Sequence, residues 1–124
     1  VILAFGPDEC RQRVLGRQVH MRYTAHTITS NRALEREIRK VRKLGYAVDD
    51  EEEELGVRCV AAPVFDEYGR FQAALSVTGT VSQIPLEEVD WIAARLKAPA
   101  ARMIHPDMKA RAAQVIPSSE IESR

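Results

Sequence analysis

Cys59, the histidines His20, His26 and His105, and the acidic run Asp49 to Glu54 are the residue types of nucleophilic and metal chemistry. A Cys–His nucleophile needs a thiolate in an electropositive, accessible setting. Cys59 instead sits in the apolar run Val57 to Val64 with Arg58 as its charged neighbour, a context in which cysteine behaves as a small hydrophobe. Core packing is the expectation for Cys59, and catalysis is not. No two histidines share a helix turn, and Cys10 and Cys59 form no clamp, so their spacing points to no metal. The acidic run lacks the alternating oxygen ligands of a calcium loop and reads as a solvated turn. The chain is therefore expected to hold no catalytic residue, metal or cofactor.

Hydroxyl and thiol groups on small side chains offer a second kind of chemistry, the binding of a small polar molecule. Asp66-Glu67-Tyr68-Gly69 has Asp at the first position of a type I turn and Gly at the fourth, where each is favoured. A four-residue loop there sets Phe65 opposite Arg70, Cys59 opposite Ser76 and Val57 opposite Thr78, with a side-chain period of two. One hairpin face then carries Val57, Cys59, Ala61, Gln72, Ala74, Ser76 and Thr78. The other carries Val60, Ala62, Val64, Phe71, Ala73, Leu75 and Val77, and needs a helix against it. The first face has room and a few hydrogen-bonding groups, as ligand pockets do. Hydroxyls facing water on a one-sided antiparallel sheet produce the same pattern.

The elements that must position this hairpin are legible from their ends. Pro7 with Asp8 and Glu9 starts a short helix that fades near Gly16. Residues 17–30 read as a loop rich in threonine and histidine. Ser30 or Asn31 caps a helix carrying Leu34, Ile38 and Val41 on one stripe, and Gly45 ends it. Pro85 opens another helix with Leu86, Val89, Ala93, Leu96 and Ala100 in line, and Pro99 should kink it or stop it about a turn early. Residues 106–124 read as a mobile extension, in which Met108 to Val115 is a candidate short helix.

The 124 residues suit one domain, and 18 basic residues balance 18 acidic ones. A nucleic-acid binder normally carries a basic excess, so DNA contact by this chain alone is not expected. No run approaches the ~20 apolar residues of a membrane span. Two cysteines without disulfide spacing fit reduced thiols in a cytoplasm.

The stretch Gly45 to Gly79 resembles the effector-binding domain of the IclR-type bacterial transcription regulators. The residues that carry the likeness are Gly45-Tyr46-Ala47, Asp49, Gly56, Cys59, Ala61-Ala62-Pro63, Ala74, Ser76, Thr78 and Gly79. Ile2-Leu3-Ala4, Thr24 and Thr27-Ile28-Thr29 extend it, so that it covers roughly residues 1–105. The resemblance implies an α+β fold, an antiparallel sheet with flanking helices in a GAF-like effector-binding domain. It implies a function in small-molecule sensing, with Asp49, Cys59, Ser76 and Thr78 as ligand-binding residues; the remaining acidic residues of the turn should be exposed. The implied partners are a small-molecule effector such as a small organic acid, further copies in a homodimer or homotetramer, and operator DNA through a winged helix upstream of this chain. A GAF-like sensor of another signalling protein, or a small enzyme centred on Cys59, are the alternatives.

Overall fold

A computed structural model describes residues 1–17 and 20–100. His105, the extension 106–124 and its candidate helix lie outside the described residues. The elements are α1 (Ile2–Phe5), α2 (Asp8–Leu15), α3 (Asn31–Leu44), β1 (Ala47–Asp50), β2 (Val57–Phe65), β3 (Phe71–Thr80), a 3-10 turn (Leu86–Glu88) and α4 (Val89–Ala100). The fold is α+β. The three strands form one antiparallel sheet in the order β1-β2-β3, with helices on both faces.

Both ends of α3 are built as its sequence dictates. The Ser30 hydroxyl accepts from the Ala33 N–H at 3.3 Å, satisfying one of the free donors of the first turn. Arg42 and Lys43 stand in the last turn, where the helix dipole favours cations. Gly45 then takes the left-handed conformation at φ 75° and donates to the Val41 carbonyl at 2.8 Å. From α4, the Lys97 ammonium donates to the Leu44 carbonyl at 2.8 Å and lies 5.3 Å from the centre of the Tyr46 ring.

The two sheet faces meet different partners. Val60 and Tyr46 pack with Ile84, Val89 and Ala93, which lays α4 across the uniformly apolar face as the hairpin pattern requires. Val48, Ile92 and Leu96 close around that cluster. Ala4, Ile38 and Val41 form a second cluster with Leu3, Phe5, Leu34 and Ala47, which sets α1 and α3 over the small-residue face. Ala47 and Val48 neighbour each other on β1 and serve opposite clusters, as a period of two demands.

Arg58 is the exception on the α4 face. It is 6% exposed, although it lies in an otherwise apolar strand. Its cross-strand partner is Asp50, whose carboxylate accepts from the Arg58 Nε at 2.8 Å and Nη2 at 2.6 Å. Nη1 donates to the Ile84 carbonyl at 2.5 Å, so the guanidinium ties β1, β2 and the segment after β3 together.

The hairpin differs from its expected register. Asp66 N–H donates to the Arg70 carbonyl at 2.9 Å, which leaves Glu67, Tyr68 and Gly69 as the loop, with Gly69 left-handed at φ 74°. Phe65 therefore faces Phe71 rather than Arg70. A second irregularity follows between Val64 and Phe65, where Gln72 is the extra residue on β3. Two one-residue shifts add to two. Cys59 thus faces Thr78, not Ser76; Ala61 faces Ser76; and Val57 faces Thr80, not Thr78. An even total keeps the small-residue set on one side. Phe71 alone leaves its expected face: its ring lies 6.3 Å from that of Phe65, which stacks edge-on against Phe5 of α1 at 5.5 Å.

The segment after β3 also departs from expectation. Leu86 to Glu88 make a 3-10 turn, and Leu86 is 57% exposed instead of joining the buried stripe. Pro99 lies within α4, which runs through Ala100 and is not stopped early. Its ring removes one backbone donor, a loss confined to the last turn described.

Candidate functional site

Two straight rows cross the small-residue face. Asp49, Cys59 and Thr78 form one, and Ala47, Ala61 and Ser76 form the next. The four residues expected from sequence thus share one face of one sheet. Their side chains have different occupations. The Asp49 carboxylate accepts from the Glu52 N–H at 2.8 Å, capping the turn that leaves β1. The Thr78 hydroxyl donates to the Cys59 Sγ at 3.1 Å. Ser76 lies on the floor of a cleft.

That cleft has a volume of about 380 Å³ and lies between the sheet and the helices. Ala47, Ala61, Ala74 and Ser76 make its floor, and short side chains there leave the space that bulkier ones would fill. Residues Val1 to Ala4 of the α1 region and Leu34, Ile38 and Val41 of α3 make its walls, with Ile28 from the preceding loop. Apart from Ser76, the polar side chains among the described residues that reach it are Glu37 of α3 and Glu52 of the acidic turn. Such a space suits a small, largely apolar molecule with one or two hydrogen-bonding groups.

The acidic turn is more ordered than a solvated run. Glu51 is held at φ 60°, and its carboxylate accepts from the Gly56 N–H at 2.7 Å. Asp50, expected to be exposed, is paired with Arg58. Glu52 is half-buried at the cleft, and burial raises its carboxyl from the usual 4.5 to about 6, helped by the neighbouring charges of Asp49, Glu37 and Asp50 and opposed by Lys40.

The threonine-rich loop holds this turn in place. Thr24 is 8% exposed and its hydroxyl donates to the Glu51 carbonyl at 2.6 Å. The Thr27 hydroxyl donates to the Glu52 carbonyl at 2.5 Å and accepts from the Thr24 N–H at 2.9 Å. The strained backbone at Glu51 is therefore fixed by two side chains from a segment about 25 residues away.

Sequence reasoning missed Glu37, Glu52 and Arg58. Glu37 falls one position before Ile38 on the rim of the apolar stripe of α3, a signal available but unused. Glu52 is one of four consecutive glutamates, and nothing in that run distinguishes it. Among the described residues, no group of three or more His, Cys, Asp or Glu gathers as a metal site. No helix among them is long and apolar enough to cross a membrane.

The family model "Bacterial transcriptional regulator IclR C-terminal" matches residues 1–105. The transcriptional regulator KdgR of Escherichia coli is 37% identical over 108 residues, which cover 87% of this chain and 41% of KdgR. The crystal structure of Thermotoga maritima IclR superposes with a TM-score of 0.71 at 36% identity, covering 90% of this chain and 42% of that one. The inducer-binding domain of PobR from Acinetobacter, a double mutant in complex with 3-hydroxybenzoic acid, superposes with a TM-score of 0.71 at 26% identity, covering 82% and 58%. The chain spans less than half the length of the curated relatives it matches. From the matched residues and the shared architecture, the chain belongs to the IclR family of bacterial transcriptional regulators and corresponds to part of their C-terminal domain.

Proposed function

We propose that this chain is the effector-sensing part of a transcription regulator. The observation that carries the reading is the cleft under α1 and α3, floored by Ala47, Ala61, Ala74 and Ser76, in a chain of this family. A molecule that binds one domain arrangement better than another shifts the population between them, and operator affinity shifts with it. The operator is contacted by a part of the regulator other than this chain, in keeping with the balanced charge. The regulator acts in the cytoplasm as a homodimer or homotetramer.

The effector is a small organic acid. The 3-hydroxybenzoic acid held by the PobR domain supports that class, and the cleft volume suits a molecule of that size. Ser76 contacts it directly from the floor. Asp49, Cys59 and Thr78 border the effector from the adjoining row, with weaker contacts than Ser76, and their shared face supports this assignment. No catalytic step is assigned to Cys59, whose sulfur accepts from Thr78.

The test is a thermal-shift screen of small acids and their neutral analogues on the intact regulator, followed by a mobility-shift titration of its operator. A compound that raises the melting temperature should also change operator affinity. Compounds that bind without moving operator affinity would refute the sensing role.

A further inference from the structure

The threonine loop before α3 is bound to itself, and two of its hydroxyls fasten it to the acidic turn. Within the loop, the Arg22 guanidinium donates to the Thr24 carbonyl at 3.2 Å, the Ala25 carbonyl at 3.1 Å and the Thr29 hydroxyl at 3.3 Å. The His26 N–H donates to the Thr24 hydroxyl at 3.0 Å, and that hydroxyl donates onward to the Glu51 carbonyl. A hydroxyl has one proton to give and two lone pairs to receive with. Thr27 commits all of them: it accepts from the Tyr23 and Thr24 N–H groups at 3.1 and 2.9 Å and donates to the Glu52 carbonyl at 2.5 Å. The same oxygen thus closes the loop and clasps the turn.

The clasp lies between two residues that line the cleft. Ile28 is the chain neighbour of Thr27, Glu52 is the residue that Thr27 holds, and both border the same space. The Glu52 residue is gripped on both sides, its N–H by the Asp49 carboxylate at 2.8 Å and its carbonyl by Thr27. Asp49 in turn shares a row with Cys59 and Thr78, next to the row of Ser76. Direct contacts therefore run from the loop through the turn to the polar face of the sheet. With Thr27 released, Ile28 loses its fixed place on the wall and Asp49 loses the fixed donor that orients its carboxylate. A molecule in the cleft meets the complete wall while the clasp is closed, and so binds that form better. Such a difference in affinity is what couples two events.

We propose that Thr24 and Thr27 are positioning residues of the effector site, and that closure of their clasp on the acidic turn and occupancy of the cleft favour each other. This inference rests on reading the cleft as the effector site. Coupling is reciprocal, so the factor by which a bound molecule tightens the clasp is the factor by which the clasp tightens binding, on the order of tenfold.

The probe is 3-hydroxybenzoate, added to the intact regulator. Occupancy is read from the methyl resonances of Ala61 and Ala74 on the cleft floor, and the clasp from hydrogen exchange of the Thr24, His26 and Glu52 amides. Amides of α4, on the opposite face of the sheet, control for general stabilisation. Saturating probe should slow the three clasp amides about tenfold beyond any change in α4. Thr27→Val should weaken the probe by about the same factor at temperatures below its melting transition, and Thr27→Ser, which keeps the hydroxyl, should restore affinity. A hydroxyl that merely stabilises the fold predicts a lower melting temperature with probe affinity unchanged. That result overturns the coupling, as does shifting of the floor methyls with clasp amides that slow no more than α4; either leaves the cleft as the binding site. A loss that Thr27→Ser does not restore overturns it too. If the probe moves no floor methyl, the effector-site reading falls and the coupling falls with it. Should Thr27→Val fail to fold, the exchange rates in the unaltered protein decide the matter.

Discussion

Thr78 stands directly opposite Cys59 in the β2–β3 ladder, and its hydroxyl donates to the Cys59 sulfur at 3.1 Å. Neither group is therefore free in the way that Ser76, one row away, is placed for a ligand. The three polar side chains share a face but are not equivalent. Thr78 and Cys59 satisfy each other at the edge of the site, and Ser76 opens onto the cleft.

Ser76→Ala should accordingly reduce effector affinity about tenfold or more, the usual consequence of removing one hydrogen-bond partner from a buried ligand group. Thr78→Val should cost much less, and the double variant should behave like Ser76→Ala alone. Calorimetry on the intact regulator distinguishes the two hydroxyls. Equal losses from the single variants would mean that Thr78 turns from Cys59 to the ligand.

Thr24→Val should destabilise the fold by about 1–3 kcal/mol, because it leaves the Glu51 carbonyl without its buried donor. Thr27→Val removes the matching donor to Glu52 and should cost a similar amount. Urea unfolding measures both. Because the two hydroxyls act on one turn, their effects should fall short of additive in the double variant.

Asp50→Ala should cost up to about 3 kcal/mol, because it strands a guanidinium that is 6% exposed. The partial exposure of Asp50 keeps the loss at the lower end for a buried pair. Replacing both partners with apolar residues, as in Asp50→Val with Arg58→Met, should recover much of the deficit. Denaturant midpoints of the single and double variants supply the comparison, and a double variant less stable than Asp50→Ala contradicts it.

Glu52 has a folded-state carboxyl raised from 4.5 to about 6. Between those values the folded protein keeps a proton that the unfolded chain releases, so stability is present below pH 4.5 and is lost as pH rises through 6. Glu52→Gln removes this titration. The variant should gain on the unaltered protein as pH rises, reaching about 1 kcal/mol at pH 7–8 once solvent screening is allowed for. Thermal melts from pH 4.5 to pH 8 should show the gap opening; a constant gap would place the effect elsewhere.

Sequence by itself determined the local elements and the faces of the hairpin. Ser30, Gly45 and Pro7 mark their helix ends because capping and left-handed turns depend on individual residue types. The alternation in β2 and β3 separates an apolar face from a small-residue face, and that separation survived an error in register. The error came from two bulges, one at Gly69 and one at Gln72, each shifting the ladder by one residue. A single shift would have turned every side chain to the wrong face; two restored the faces and moved only the partners. The tertiary structure decided what each polar group does. Whether Glu52 meets solvent or a cleft, whether Arg58 is solvated or buried against Asp50, and whether Thr24 tethers a distant turn all depend on contacts between segments far apart in the chain. Four consecutive glutamates are chemically alike, and only the packing of α3 and the threonine loop against that turn makes one of them different.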